Sequence, residues 1–324
     1  MKWNKLPKYN DLPRDKNTGD RTAWGLFDQG GVKDQIGTIN LLTPEVVANA
    51  AKEIRCGKSV SLNWGLEKMH QPGFGRTSLV HKFIDWRGKD GYDFYSYDDE
   101  ITVNTQTGSQ WDGLRHWGHG STGFYYNGVH HDDLLKGSHL GIDHWNDRGG
   151  IVGRGVFLDY QSWAERNNIS FSPMSRHRIT LKDLLTIAKE ENVDFRFGDV
   201  LIVRTGWIKW YEENSQEERI KYITNGNAWV GVEGCEETLE WLWNNHFAAV
   251  AGDSIGWEVW PPNKGYRLHD HLLSLWGMPI GEMWDLEALA EECKRQKRWT
   301  FFLTSAPLNT TGGVASPPNA LAIF

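Results

Sequence analysis

The 324-residue sequence predicts an α/β fold built on a substantial sheet. Through its second half, amphipathic helical stretches are followed repeatedly by short apolar runs, which is how helices layered on a sheet read in sequence. The runs themselves, such as "VLIVR" and "FAAVAG", are apolar throughout and read as buried strands. No repeat, low-complexity tract or Ser/Gly linker divides the chain, so residues 23–324 are expected to form a single domain preceded by an extended arm, residues 1–22.

Each element has a local reason. "LTPEVVANAAKEIRCG" is a helix capped by Thr43, with Pro44 at its first position and Gly57 as its stop. "KSVSLNWGL" alternates as a strand. Residues 66–100, rich in Gly, Asp and Tyr, form a long excursion with some strand. "RGVFLDY" is a buried strand. "TLKDLLTIAKEEN" is a helix with a capping box, Thr180 and Asp183. It leads into "FGDVLIVRTGW", a strand from Asp199 to Arg204. Residues 233–246 form an amphipathic helix and "FAAVAGD" a short strand. "MWDLEALAEECKRQ" is a further helix and "WTFFLTSAPL" the final buried strand.

Composition excludes some functions. The net charge of −7, with no Lys/Arg cluster, argues against nucleic acid as a partner. No apolar run approaches the ~20 residues of a membrane span, and the polar N-terminus lacks the apolar centre of a secretory signal. Cys56, Cys235 and Cys293 are scattered, with no zinc-ligand spacing, which suits a reduced, cytoplasmic protein. The sequons at Asn168 and Asn309 then have no role. Most of the 18 tryptophans are expected to serve packing, with a subset lining a pocket for a flat or aromatic ligand.

Two segments concentrate chemistry. In "GSQWDGLRHWGH", residues 108–119, Asp112 and His116 lie four apart. Gly108, Gly113, Gly118 and Gly120 disfavour a helix, so the expectation is a glycine-rich turn exposing polar side chains into a cleft. A carboxylate beside a histidine orients the imidazole and raises its basicity, as a general base requires. A merely hydrogen-bonded loop carries equal weight on composition. In "YRLHDHLLSLWGMPIGEMWDL", His269, His271 and Glu282 suit a metal site. Leu272, Leu273 and Leu275 make a packed segment with surface histidines equally natural. His130, His131, Asp132 and Asp133 read as a solvated turn, because adjacent side chains diverge. The chain has no GxGxxG fingerprint, P-loop, HExxH or GxSxG motif.

Taken together, these stretches resemble the cyclase family that contains bacterial kynurenine formamidase and isatin hydrolase. Its metal motif, H-x-G-T-H-x-D-x-P-x-H, is in register with "QTGSQWDGLRH", residues 106–116. Gly108, Ser109, Asp112 and His116 match the glycine, threonine, aspartate and last histidine. "FGDVLIVRTGW", "HDHLLSLWGMPIGEMWDL" and "TSAPLNTTGGVASPPNALAIF" are similar to later family segments, in the family's order, from about residue 36 to 324. The departures are Gln106 and Gln110 in place of two histidines, and Leu114 in place of the proline, as in a longer, Gln-containing branch of the family.

The resemblance implies a swivelling β/β/α fold, a mixed sheet core with outer helices, and a homo-oligomer, dimer or tetramer. Exposed aromatics in residues 66–145 would serve that contact. It implies a small-molecule enzyme of secondary metabolism, a kynurenine formamidase-like hydrolase of a cyclic or aromatic amide, lactam or ester-like substrate. Dehydration and cyclisation are related outcomes. His116 would move the proton, and Asp112 would orient it or hold a cation. Gln106, Ser109 and Gln110 would donate to a substrate carbonyl, and Trp111 and Trp117 would flank the substrate. Zn²⁺ or Mn²⁺ would be held by Asp112, His269 or His271, and Glu282, with His269 ranked first because it precedes the Leu-Leu pair as the family's ligand does, so that Asp112, His116 and Glu282 converge on one cleft. Amide oxygens at positions 106 and 110 are weaker ligands than imidazoles, which lowers the expected metal affinity. The alternative is a non-catalytic small-molecule binding protein that has lost the family metal site. The retained Asp112 and His116 favour the enzyme. A Trp-rich carbohydrate-binding module fits poorly, since such modules are usually small and secreted.

Overall fold

Four parallel strands form the centre of the computed structural model, which describes residue 3 and residues 5–324. They are Ile151–Asp159, Val200–Arg204, Ala249–Gly252 and Ile280–Glu282, paired in that order. Every residue of the last three is buried, because a parallel sheet is covered on both faces. The helix Leu181–Glu190 lies in the first crossover and Glu236–Asn244 in the second. The third carries the seven-residue π-helical segment Asp270–Trp276.

Antiparallel strands extend both sides into a nine-stranded mixed sheet. Thr300–Ser305, Ala320–Ile323 and Ser59–Ser61 lie beyond Ile151–Asp159, whereas Gln110–Asp112 and Ala315–Ser316 lie beyond Ile280–Glu282. The last two strands in the chain therefore sit near opposite ends of one sheet. From Ser316 to Ala320 the chain can reach about 14 Å, yet in a flat sheet their strands would be about 33 Å apart. The sheet must curl towards closure, and this mixed sheet with outer helices is the fold that the family resemblance implies.

Several expectations change at the boundaries. Thr43 caps its helix, but the α-helix covers Pro44–Ala50 and a 3₁₀ turn ends at Glu53, four residues before Gly57. There, Arg298 Nη1 donates to the Glu53 carbonyl at 2.7 Å, and Thr300 Oγ1 donates to its carboxylate at 2.9 Å, drawing the chain to the sheet. The Thr180–Asp183 capping box forms as expected. Thr300–Ser305 is not the final strand, since two short ones follow. The sequence did not predict the helices Trp207–Glu213, Gln216–Asn225, Asp143–Asp147 and Tyr160–Arg166. The first buries Trp207, Ile208 and Tyr211 in a second, smaller core with Trp64, Met69, Met174 and Met283.

The residue 66–100 excursion contains an antiparallel ribbon, Val80–Asp85 with Tyr97–Thr102, that exposes Phe83, Tyr97 and Ile101. The N-terminal segment lies against the body. Tyr9 and Leu12 are in the main core, and the Tyr9 N–H donates to Asn244 Oδ1 at 2.8 Å. No described helix is long and apolar enough to cross a membrane.

Candidate active site

Gln110–Asp112 is a buried strand, not the glycine-rich turn that composition suggested. Ile280–Glu282 pairs with it on one side and Ala315–Ser316 on the other, so backbone pairing outweighs poor strand propensity. Strand alternation then divides the motif. Trp111 points into the core, where its Nε1 donates to Ser305 Oγ at 2.9 Å and its ring meets Trp284 edge-on at 4.8 Å. Trp111 thus packs the sheet and does not flank a ligand. Gln110 and Asp112 share the opposite face. Beyond them, the His116 N–H donates to the Gly113 carbonyl at 2.9 Å in a tight turn. A Cβ at Gly113 would lie 2.5 Å from the Val314 carbonyl oxygen, so glycine is required for this approach.

Two distant segments complete the site. Glu282 stands opposite Gln110 in the ladder, and Gln110 Nε2 donates to Glu282 Oε2 at 3.0 Å. His269 immediately precedes the π-helical segment. The Glu258 carboxylate accepts from the Leu268 and His269 N–H groups at 2.8 and 3.0 Å, and lies 2.6 Å from His269 Nδ1. This turns His269 Nε2 towards Asp112 Oδ2, at 3.7 Å, and Glu282 Oε1, at 3.3 Å. His271 does not join them; its Nε2 lies 3.5 Å from the Gly265 carbonyl oxygen, in another environment that includes Asp20 and His119. Ser109 Oγ is buried without a partner among the described residues and does not line the cavity.

The glutamines act on the carboxylates. Gln106 Nε2 donates to Asp112 Oδ1 at 2.6 Å, and Gln110 Nε2 reaches Gln106 Oε1, Asp112 Oδ1 and Glu282 Oε2. The Gln110 N–H groups are thus committed to protein partners, in place of the expected role as donors to a substrate oxyanion, whereas Gln106 gives one N–H to Asp112 and lines the cavity. Asp112 Oδ2 is left buried and unpartnered among the described residues. His116 Nε2 is 3.9 Å from it, beyond hydrogen-bond range, so Asp112 acts on His116 through charge and not by fixing its tautomer.

Electrostatics separates these groups. Burial opposes ionisation of Asp112, but the charges of His116 and His269 and the Gln106 amide hold its pKa below the usual carboxylate range. Burial pushes His116 below its ordinary value, only partly offset by Asp112, so its imidazole is neutral at neutral pH. Burial and the Asp112 charge push Glu282 up to about 7. Burial disfavours the charged form of His269, yet Asp112, Glu258 and Glu282 together raise it well above its ordinary value.

The donor set fits a divalent metal. One atom each from Asp112, His116 and His269 lies within 4.8 Å of the others. Tetrahedral zinc, with bonds of about 2.1 Å, needs ligand atoms about 3.4 Å apart, closer than the 3.9 and 3.7 Å from Asp112 Oδ2 to His116 and His269 Nε2. The unpartnered Asp112 Oδ2 and the carboxylate-bound Nδ1 of His269 also suit a ligand set with its supporting contacts. Glu282 is linked to Asp112 through the Gln110 amide and stands outside this three-donor group.

Gln106, His116, His269 and Glu282 floor a cavity of about 180 Å³, walled by Trp117, Trp229 and Trp260. It opens beside the C-terminal ends of the parallel strands, where Glu282 ends one and Ile255 follows another, the usual ligand position in such sheets. His116 and Glu282 at the floor, and Asp112 buried 3.9 Å from His116, therefore converge. Sequence reasoning missed Glu258, Arg76, Trp229 and Trp260. The tryptophan count hinted at the last two, but nothing local marked Glu258 or Arg76.

The family model described as Putative cyclase matches residues 60–259. A crystal structure of a novel cyclase superposes with a TM-score of 0.81 at 29% identity, covering 94% of this chain and 99% of that one. Isatin hydrolase A from Labrenzia aggregata, bound to benzyl benzoate, gives 0.54 at 16% identity, covering 88% and 98%. Isatin hydrolase A from Ralstonia solanacearum gives 0.55 at 18%, covering 86% and 95%. No curated protein matches the sequence.

Proposed function

The chain belongs to the cyclase family, and from that premise we propose that it is a hydrolase-like enzyme that opens an amide, lactam or ester bond in a small aromatic or cyclic molecule. One observation carries this reading: His116, His269 and Glu282, drawn from distant segments, meet at the floor of one tryptophan-walled cavity, with Asp112 buried beside the two histidines. The isatin hydrolases share the fold, and isatin, the substrate in their name, is a cyclic aromatic amide, which supports the class.

In this mechanism the neutral His116 imidazole accepts a proton from water as the water oxygen attacks the carbonyl carbon, and returns it to the leaving nitrogen or oxygen. Asp112, 3.9 Å away in a buried setting, stabilises the imidazolium that forms between the two transfers. Gln106 and Gln110 keep Asp112 and Glu282 in place without neutralising them. The tryptophan walls exclude water and receive a flat ring. A metal held by Asp112 and His269, two of the three clustered donors, would supply Lewis acidity to the carbonyl oxygen. His116 would then keep the lone pair that proton transfer requires.

The test is His116→Asn, assayed on a panel of cyclic and aryl amides and esters. The expected loss in kcat/KM is ~10²–10⁴ with normal folding and unchanged metal content. The pKa shift sets the pH profile: because burial depresses the pKa, the wild-type acid limb should lie below pH 6.5. Metal lost in step with activity would make His116 a ligand. Wild-type turnover in the variant would defeat the mechanism, and no turnover of any panel member would favour a binding protein.

A further inference from the structure

A second chamber of about 170 Å³ adjoins the first, and the two share Phe74, Arg76, Trp229, Ile255 and Trp260. Each chamber alone is small, but together they reach the lower part of the ~300–1,000 Å³ range of small-molecule sites. The outer chamber is lined largely by apolar groups, including Met69, Met174, Met283, Tyr222 and Ile223. Methionine and aromatic side chains adapt to a flat apolar body.

Arg76 stands where the chambers join. Its Nη1 donates to the Gln106 carbonyl at 2.7 Å, and its guanidinium lies over the Phe74 ring at 5.0 Å. Its remaining guanidinium N–H groups have no protein partner, and no carboxylate pairs with it, among the described residues. No other Lys or Arg among the described residues lines either chamber. Asp112 and Glu282 act on it only through space. The charge on His269 is already met by Asp112, Glu258 and Glu282, so an entering anion needs another cation, and the guanidinium fork of Arg76 matches a carboxylate in geometry as well as charge.

We propose that the substrate is a carboxylate-bearing molecule whose anion is received by Arg76 and whose flat apolar body fills the outer chamber, leaving its scissile carbonyl over the inner floor. The assignment rests on the reading that the inner cavity is the active site, and it makes Arg76 and the outer chamber the specificity determinants. It excludes ligands small enough to sit in the inner cavity alone as preferred substrates.

The probes are N-(2-naphthoyl)glycine, its neutral methyl ester, and the short acid N-acetylglycine, with binding measured by calorimetry. In the wild type, the naphthoyl acid should bind about tenfold more tightly than its ester, the scale of a charge-assisted contact. Arg76→Gln should bring acid and ester within about twofold, and Arg76→Lys should restore part of the preference. Ile223→Trp, which fills the outer chamber, should weaken the naphthoyl acid and leave N-acetylglycine unchanged. Equal binding of acid and ester in the wild type, a comparison that needs no variant, would overturn the anion assignment. So would a preference that survives Arg76→Gln. Unaltered naphthoyl binding in folded Ile223→Trp would overturn the outer-chamber assignment. These readouts need no turnover, so an inactive protein that still prefers the acid would refute the hydrolase reading alone. A His116-dependent hydrolase that prefers neutral amides would refute this inference alone.

Discussion

Asp112 keeps its two oxygens for different partners. Oδ1 accepts from both glutamine amides, while Oδ2 faces the two histidines unpartnered. The glutamines occupy positions where the family motif carries imidazoles, and they serve the carboxylates through their nitrogens. Metal affinity should therefore rest on few ligands. Replacing both (Gln106→His with Gln110→His) should raise Zn²⁺ affinity by roughly tenfold or more, read by competition with a chromogenic chelator. An unchanged affinity would show that the imidazoles cannot reach the position that Asp112 and His269 define. The resemblance made Gln106, Gln110, Asp112 and His116 legible as a group. It did not show which way the amides turn, because that depends on Glu282, 172 residues further along the chain from Gln110.

At the scale of elements, the helix Leu181–Glu190 joins a well-formed start to a costly end. Its capping box was plain in the sequence. Its C-cap, Glu191, was not marked as unusual, yet both carboxylate oxygens are buried without a hydrogen bond among the described residues. Burial, with the nearby Asp159 charge, pushes its pKa up to about 8. The folded state therefore holds a proton that the unfolded chain releases near pH 4.5, the ordinary value for Glu. Between that pH and about 8, the folded state binds more protons, so stability falls as pH rises and levels off above the folded pKa. The limiting slope is about 1.4 kcal/mol per pH unit. Glu191→Gln should flatten this slope and raise stability at pH 8, measured by urea denaturation across the window. A variant with the wild-type slope would assign the dependence to other groups. Gln110–Asp112 shows the opposite failure of local reading. Its glycine-flanked, polar sequence suggests a turn, and it is a strand because two neighbours pair with its backbone.

At the scale of the whole molecule, the curled sheet depends on a junction where Trp111 bonds Ser305 and packs against Trp145 and Trp284. Trp111→Ala should cost about 3–5 kcal/mol, the usual range for removing a buried aromatic, seen as a lower denaturation midpoint. If Trp111 instead contacted ligand, stability would hold and the naphthoyl probe would bind more weakly. The sequence by itself determined the α/β class, most of the central strands, the principal helix starts and the identities of Asp112, His116, His269 and Glu282. Those are matters of periodicity, capping chemistry and motif spacing, which act over a few residues or are preserved in family order. Only the tertiary structure decided that Trp111 is core while Trp229 and Trp260 are wall, that Glu258 turns His269 towards Asp112, and that Arg76 stands at the join between two chambers. Each depends on which face of a strand or turn meets which distant segment, and a burial pattern along the chain does not encode that partner.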